Sequence, residues 1–291
     1  MSEVAIRTPQ SPGIGAYLNP LGLCSALAVR ADLIWQFASR ELLERHKGAM
    51  LGVAWNILSP LLTLSVYTFV FGFVLKVRWE NKGGHAWQGI DPHLSFALTF
   101  FCGHALAHLF VECVGRAPTV IASRPNLVRK VVFPLEILPV SVLVAGLVTL
   151  AVSVGILLVC SLIFAGRIPP TAPLFLVPIV PLVMLALGAS WFLASLGVFL
   201  RDVRNVVQVL VQVIVFMSAV FYPIQRVPES WQPLVLYNPL AVIIENGRRT
   251  LLWGEWPEWH RLAWVTLLAF IVMQVGYAWF MRTKRGMADV V

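Results

Sequence analysis

The chain alternates between long stretches without Asp, Glu, Lys or Arg and short segments where those residues gather. The charge-free runs are 51–75, 94–111, 137–166, 168–200, 205–225 and 262–281. About 20 apolar residues in helix cross the ~30 Å hydrocarbon layer of a bilayer, and a lipid-facing segment must satisfy its backbone hydrogen bonds internally. The pattern predicts an all-α membrane protein with six transmembrane helices, at about 51–75, 94–115, 132–165, 174–200, 205–223 and 262–281. Together they form one domain over 49–282, leaving a tail at 283–291. Residues 1–28 hold Pro9, Pro12 and Pro20 but no basic region followed by an apolar core. They read as a flexible leader, not a cleaved signal.

The segments between the runs differ in kind. Over 29–48, Leu33, Ile34, Phe37, Ala38 and Leu42 share about half of a helical circumference, and Glu41 stands four residues before Arg45. This predicts an amphipathic interface helix, too charged to span, with a Glu41–Arg45 pair along it. The stretch 226–261 carries Trp231, Tyr237, Trp253, Trp256 and Trp259, and its apolar pieces at 233–236 and 240–244 are too short to cross. Short re-entrant helices in the outer leaflet, anchored by Trp at headgroup level, fit that composition. Pro60 in the first run and Pro173, Pro178 and Pro181 in the fourth predict helices that kink or start late.

Composition agrees with burial in lipid: 58% of residues are hydrophobic and 12% charged, against about 25% charged in soluble domains. Lys and Arg outnumber Asp and Glu, 22 to 14. Nucleic-acid binding would need those cations clustered on one face. Here they bracket the apolar runs, as topogenic charge does. With the N-terminus in the cytoplasm, Arg40, Arg45, Arg116, Arg124, Arg129, Lys130, Arg201, Arg204 and Arg282 all fall inside, and the opposite loops are poorer in cations. Both termini are expected in the cytoplasm. Cys24, Cys102, Cys113 and Cys160 are scattered without metal-ligand or redox spacing and read as packing residues.

Several chemistries are excluded or narrowed. None of Lys47, Lys76, Lys82, Lys130 and Lys284 is followed by Ser or Thr, so no phosphate-cradling Walker A loop is present. The acids nearest the spans, Glu112 and Glu136, sit toward helix ends and not at mid-membrane, where ion coupling would want them. The chain is therefore no ATPase by that route, and a driving force would come from a separate subunit.

His104, His108 and Glu112 recur every four residues, which suits either a zinc site or a polar stripe facing a partner helix or cavity. Without further ligands in view, no metal is expected. Gly188, Ala189 and Ser190 match half of an intramembrane serine protease motif, but Trp191 follows where Gly is needed. An intramembrane hydrolase is the rival from another class; small residues in a span also permit close helix packing. Asn205, Gln208 and Gln212 make a polar ladder continued by Phe216 and Tyr222, and Tyr67 and Phe71 are four apart in the first run. Amides in hydrocarbon are costly unless paired or hydrated. These residues either pack between helices or line a passage in which ring faces meet sugar C–H groups and amides meet hydroxyls.

Longer motifs carry a resemblance. The stretch from Arg40 through Lys47, Leu51, Gly52 and Trp55 to Pro60 resembles the interface helix and first span of ABC-transporter permeases that export polysaccharides. Asn126–Pro139 resembles their second cytoplasmic signature, and Phe199–Arg204 the turn before the fifth span. Tyr222-Pro223, Val227-Pro228, Asn238-Pro239 and Arg248-Arg249 resemble the outer gate region. The matches are collinear over 31–281. Relatives in that family export O-antigen, capsule or teichoic acid.

The resemblance implies a homodimer in the inner membrane, two copies of a nucleotide-binding ATPase subunit that holds ATP and Mg, and a lipid-linked polysaccharide cargo. No cofactor is expected on this chain. It assigns ATPase coupling to Arg40, Arg45, Pro125, Asn126, Arg129 and Lys130. Tyr67, Phe71, Gln208, Gln212, Phe216 and Tyr222 become channel residues, and Trp231, Tyr237, Asn238, Pro239, Trp253 and Trp256 an outer gate.

Overall fold

The computed structural model describes residues 19–45, 49–74, 91–128, 133–287 and 290. The described residues are helical, with turns and loops and no strand. Two helices precede the first apolar run: α1, Pro20–Ala28, and α2, Ala31–Glu44. Residues 20–28, assigned to a flexible leader, are thus helical. The first run forms α3, Trp55–Tyr67, and continues as the wider π-helical turn Thr68–Val74.

α4, Pro92–Val120, starts where sequence chemistry says it should. Pro92 takes the first-turn position, and the Asp91 side chain accepts the amides of His93 at 2.8 Å and Leu94 at 3.4 Å. A four-residue helix, α5 (Pro125–Val128), follows. α6, Ile137–Ala165, ends on Gly166 in the left-handed conformation (φ 67°) that glycine adopts without strain. The fourth run starts late, as its prolines predict. Ala172–Phe175 is a tight 3₁₀ turn, and α7 begins at Leu176 and runs to Phe199.

Beyond it lie α8, Val203–Phe216, and two short helices, α9 (Gln232–Leu236) and α10 (Pro239–Arg248), the latter extended by a π-helical turn Arg249–Trp253. α11, Trp259–Met287, closes the chain.

Among the described residues, five helices are long and apolar enough to cross a membrane: Trp55–Val74, Pro92–Val120, Ile137–Ala165, Ala172–Phe199 and Trp259–Lys284. The run at 205–225 differs. Its helix stops at Phe216, 14 residues long, or about 21 Å at 1.5 Å per residue. The physical cause is a reversal of the chain: Ala219 takes a left-handed backbone (φ 53°), which interrupts the helical ladder.

α4 is the hub. It packs on α6, α7, α8 and α10, while α11 lies along α7 and α2 lies along α6. α7 and α11 approach closely, and a Cβ on Gly188 would meet the Met273 backbone at 2.6 Å. Glycine there lets two backbones touch, the packing role expected of small residues in spans. α3 is the outlier, with almost none of its residues buried. Ile57, Leu62, Val66 and Phe69 point away from the bundle.

The ion pairs at the basic end also differ from the local expectation. Glu41 is buried on the inner face of α2 and pairs with Arg116 and Arg124, not with Arg45. Arg45 turns instead to Glu112 of α4, and its Nη1 reaches Thr149 Oγ1 at 3.2 Å. The reason is burial: α4 and its extension bring two guanidinium groups to the buried Glu41 carboxylate, which would otherwise lack a charged partner away from water, while Arg45 is drawn to Glu112. Glu136 makes a second junction, accepting from Arg30 at 2.8 Å and Lys284 at 2.7 Å.

Candidate functional site

An aromatic cluster sits where α3, α4 and the chain reversal after α8 meet. Tyr67 and Phe71 stack on each other at 5.9 Å between ring centroids, one turn apart on the first span. Phe221 lies 5.7 Å from each of them and 5.0 Å from Phe216. Phe96, Phe100 and His104 of α4 supply the back wall, with Phe100 4.8 Å from Tyr67. Offset and tilted ring pairs at these distances add attraction beyond their buried area. Three of the expected channel residues, Tyr67, Phe71 and Phe216, are therefore brought together, and Phe221 joins them.

The amide ladder divides. Gln208 donates through Nε2 to the Gly115 carbonyl of α4 at 3.0 Å, so it ties two helices together. Gln212 is exposed on the same helix. Tyr222 donates its hydroxyl to the Phe216 carbonyl at 2.8 Å, covering a backbone group left by the end of α8.

A cavity of about 190 Å³ with a mixed polar and apolar wall opens beside the cluster, between α3, α4 and α6. Arg45, Asn56, Thr63, His104, His108 and Ser153 contribute to its lining. The His104–His108 face therefore borders this cavity. His108 Nδ1 stands 4.0 Å from Glu112 Oε2, and that carboxylate already holds Arg45. Among the described residues no group of three or more His, Cys, Asp and Glu is arranged to hold a metal ion.

The residues assigned to the gate lie between α8 and α11. Trp231, Tyr237 and Trp256 are exposed, as interface anchors would be. Trp253 is buried. Asn238 caps α10 by accepting the Leu240 amide at 3.0 Å, and Pro239 takes the first-turn position. The Asn238 Nδ2 also donates to Ser218 Oγ at 3.0 Å and to the Met217 carbonyl at 3.3 Å, fastening α10 to the end of α8.

Arg248 is wholly buried among these elements. Its Nε donates to the Thr99 carbonyl, and Nη1 and Nη2 to the carbonyls of Ala219 and Val220, each at 3.0 Å. Glu245 stands 3.7 Å from Nη1. An unpaired guanidinium in such surroundings would cost several kcal/mol; hydrogen bonds to the carbonyls offset the loss of water.

At the opposite, basic end, Arg40 is exposed and pairs with Glu44 at 3.3 Å. Arg45 is taken up by Glu112, and Pro125 and Asn126 are exposed at the start of α5. Arg129 and Lys130 lie outside the described residues. Sequence reasoning passed over Glu41 as a junction and Phe221 as a cluster member. An acid on the apolar side of an amphipathic helix was a usable signal for the first; one more Phe in an apolar run was none for the second.

Comparison with known proteins follows the same extent. The family model for ABC-2 type transporters matches residues 32–252. The O-antigen export system permease protein RfbA of Myxococcus xanthus is 26% identical over 263 residues, covering 89% of this chain and 95% of the relative. RfbA of Klebsiella pneumoniae is similar to the same degree. The polysialic acid transport protein KpsM of Escherichia coli is 21% identical over 252 residues, covering 85% and 92%.

Proposed function

This chain belongs to the ABC-2 type transporter family, and we propose that it is the permease subunit of an ATP-driven exporter of a lipid-linked cell-surface polysaccharide of the O-antigen kind. The observation that carries this reading is likeness to O-antigen export permeases over 89% of the chain and 95% of the relatives' length. A capsular polysaccharide is the second reading, favoured by the likeness to a polysialic acid transport protein.

In this reading the chain makes no covalent change to its cargo. ATP and Mg are bound by a separate nucleotide-binding subunit, two copies of which serve a homodimer of this chain. The protein sits in the inner membrane with both termini and the basic end, around Arg40, Arg116, Arg124 and Pro125, in the cytoplasm. α8 with the following reversal counts as the fifth of six spans. The helices α9 and α10 act as a gate on the outer side. The bare face of α3 and the exposed side of α8 supply what a dimer channel needs: apolar surface to bury against a second copy, and Tyr67, Phe71, Gln212 and Phe216 beside it. The ring faces suit the C–H faces of sugars, and the amide suits their hydroxyls.

ATP binding would favour one of two states and so bias the helices around the passage. The test is reconstitution of this chain with its ATPase in vesicles loaded on one side with lipid-linked glycan. ATP-dependent appearance of glycan on the far side is the expected result. Transport without any ATPase, or an ATPase complex that moves no glycan, would sink the proposal.

A further inference from the structure

Phe221, packed against Tyr67 at the end of α3, Phe71 of the π-helical turn after it and Phe100 of α4, stands in the middle of the ring cluster, yet it belongs to no regular helix. What holds it there is two residues away in sequence. α8 ends at Phe216, and the chain reverses through Ala219 in a left-handed conformation that L residues rarely adopt. Ending a helix leaves carbonyls without partners. The carbonyls of Ala219 and Val220, in the turn beyond the helix, are both taken by the fork of Arg248, which projects from the last turn of α10. The same guanidinium is anchored to α4 through Thr99, and it fits only because residue 103 is glycine: a Cβ there would overlap Arg248 Nη2.

We propose that Phe221 is the closing ring of the passage and that Arg248 is the positioning residue that slaves it to α10. The inference rests on the export reading above and adds the device that closes the passage. A planar guanidinium with three donors used on three carbonyls fixes both the place and the orientation of the reversal, which a lysine ammonium cannot reproduce. Displacement of α10 therefore carries Ala219 and Val220 with it. Because Phe221 follows directly, its ring is drawn onto or away from the stacked Tyr67–Phe71 pair. Asn238, bonded to Met217 and Ser218, makes the second tie between the same two elements. Phe221 is the moving part and Arg248 its lever.

The test uses the full permease assembled with its ATPase in membranes, carrying Tyr67→Cys with Phe221→Cys and a short thiol cross-linker. High cross-linking is expected at rest, falling severalfold when the ATPase is trapped with a nucleotide analogue. Adding Arg248→Lys is expected to lower resting cross-linking severalfold and to abolish the nucleotide response, while the complex still assembles and hydrolyses ATP. If Arg248→Lys fails to accumulate, Asn238→Asp keeps the cap on α10 but removes the donor to Met217 and Ser218, and is expected to lower resting cross-linking in the same direction. Cross-linking unchanged by these substitutions would overturn the lever. A cross-link that forms readily in both nucleotide states would overturn the closing role of Phe221. The readout needs no cargo, so a mistaken polysaccharide assignment would show as failed export with the cross-linking response intact.

Discussion

Glu41 of α2 and Arg124, the residue before α5, face each other at 3.1 Å across 83 residues of chain. The pair belongs to a circuit. Glu41 also holds Arg116, the Nη1 of Arg116 lies 3.7 Å from Glu112, and Glu112 holds Arg45, one residue beyond α2. The circuit starts and ends on the interface helix and passes twice through α4 and its extension. Arg124 further stands over the Phe37 ring at 5.7 Å, which adds a cation–π contact on the same side of α2. These contacts tie α2 to the segment leading to α5.

Breaking that junction should cost more than an ordinary surface pair. Glu41 is 3% exposed, so Glu41→Ala leaves Arg124 partly buried and without its carboxylate. Removing one partner of a buried pair costs about 3–5 kcal/mol; the exposure of Arg116 argues for the lower end. Thermal unfolding of the solubilised protein should show a clear drop in midpoint. Arg40→Ala, which removes only an exposed i,i+4 pair, should stay within about 0.5 kcal/mol of the parent.

The two neighbours Gly188 and Ser190 separate packing from hydrolysis. A Cβ at Gly188 would press on Met273 N and Cα, backbone atoms that cannot swing aside. Gly188→Ala should therefore destabilise at the upper end of the ~1–3 kcal/mol of overpacking, or prevent accumulation. Ser190 is buried, and Ser190→Ala should leave stability and glycan export close to the parent. Loss of function in Ser190→Ala with normal accumulation would revive a catalytic role for that hydroxyl.

How far the fold could be read in advance depended on whether the deciding partner was near in sequence. Pro92–Val120, Ile137–Ala165 and Trp259–Lys284 match charge-free runs because a long apolar helix needs nothing but itself to satisfy its backbone. The run at 205–225 looks no different on that criterion. Its helix nevertheless ends at Phe216, and the turn that follows is held through its Ala219 and Val220 carbonyls by Arg248, about 30 residues further on.

Glu41 follows the same logic. The nearest cation, Arg45, was the natural local partner, but packing of α2 against the bundle brought Arg116 and Arg124 closer to its buried face. For the site, the spacing of Tyr67 and Phe71 was legible as one face of a helix. Convergence of Phe221 on them was not, because it arises from a chain reversal with no glycine to announce it.

Gln208 and Gln212 should separate in their effects, although they share a face of α8. Gln208→Leu removes the hydrogen bond to the Gly115 carbonyl and should cost about 1 kcal/mol of stability. Gln212 is exposed, so Gln212→Leu should leave the thermal midpoint unchanged and lower the rate of glycan translocation in vesicles. Normal export by Gln212→Leu would remove that residue from the lining of the passage.

The basic end offers the last test. Glu41 pairs with both Arg116 and Arg124, and Glu112 with Arg45, so these guanidinium groups are engaged within the chain. Cations at 129 and 130, following exposed Pro125 and Asn126, are the natural ones to meet an acidic surface on the ATPase. Arg129→Ala with Lys130→Ala should weaken co-purification of the ATPase and lower ATP-dependent export together. The contact should also fail at lower salt than in the parent, because exposed ion pairs are screened over about 10 Å at 0.1 M ionic strength. Retention of the ATPase at every salt concentration, with undiminished export, would move the coupling contact elsewhere on this end of the bundle.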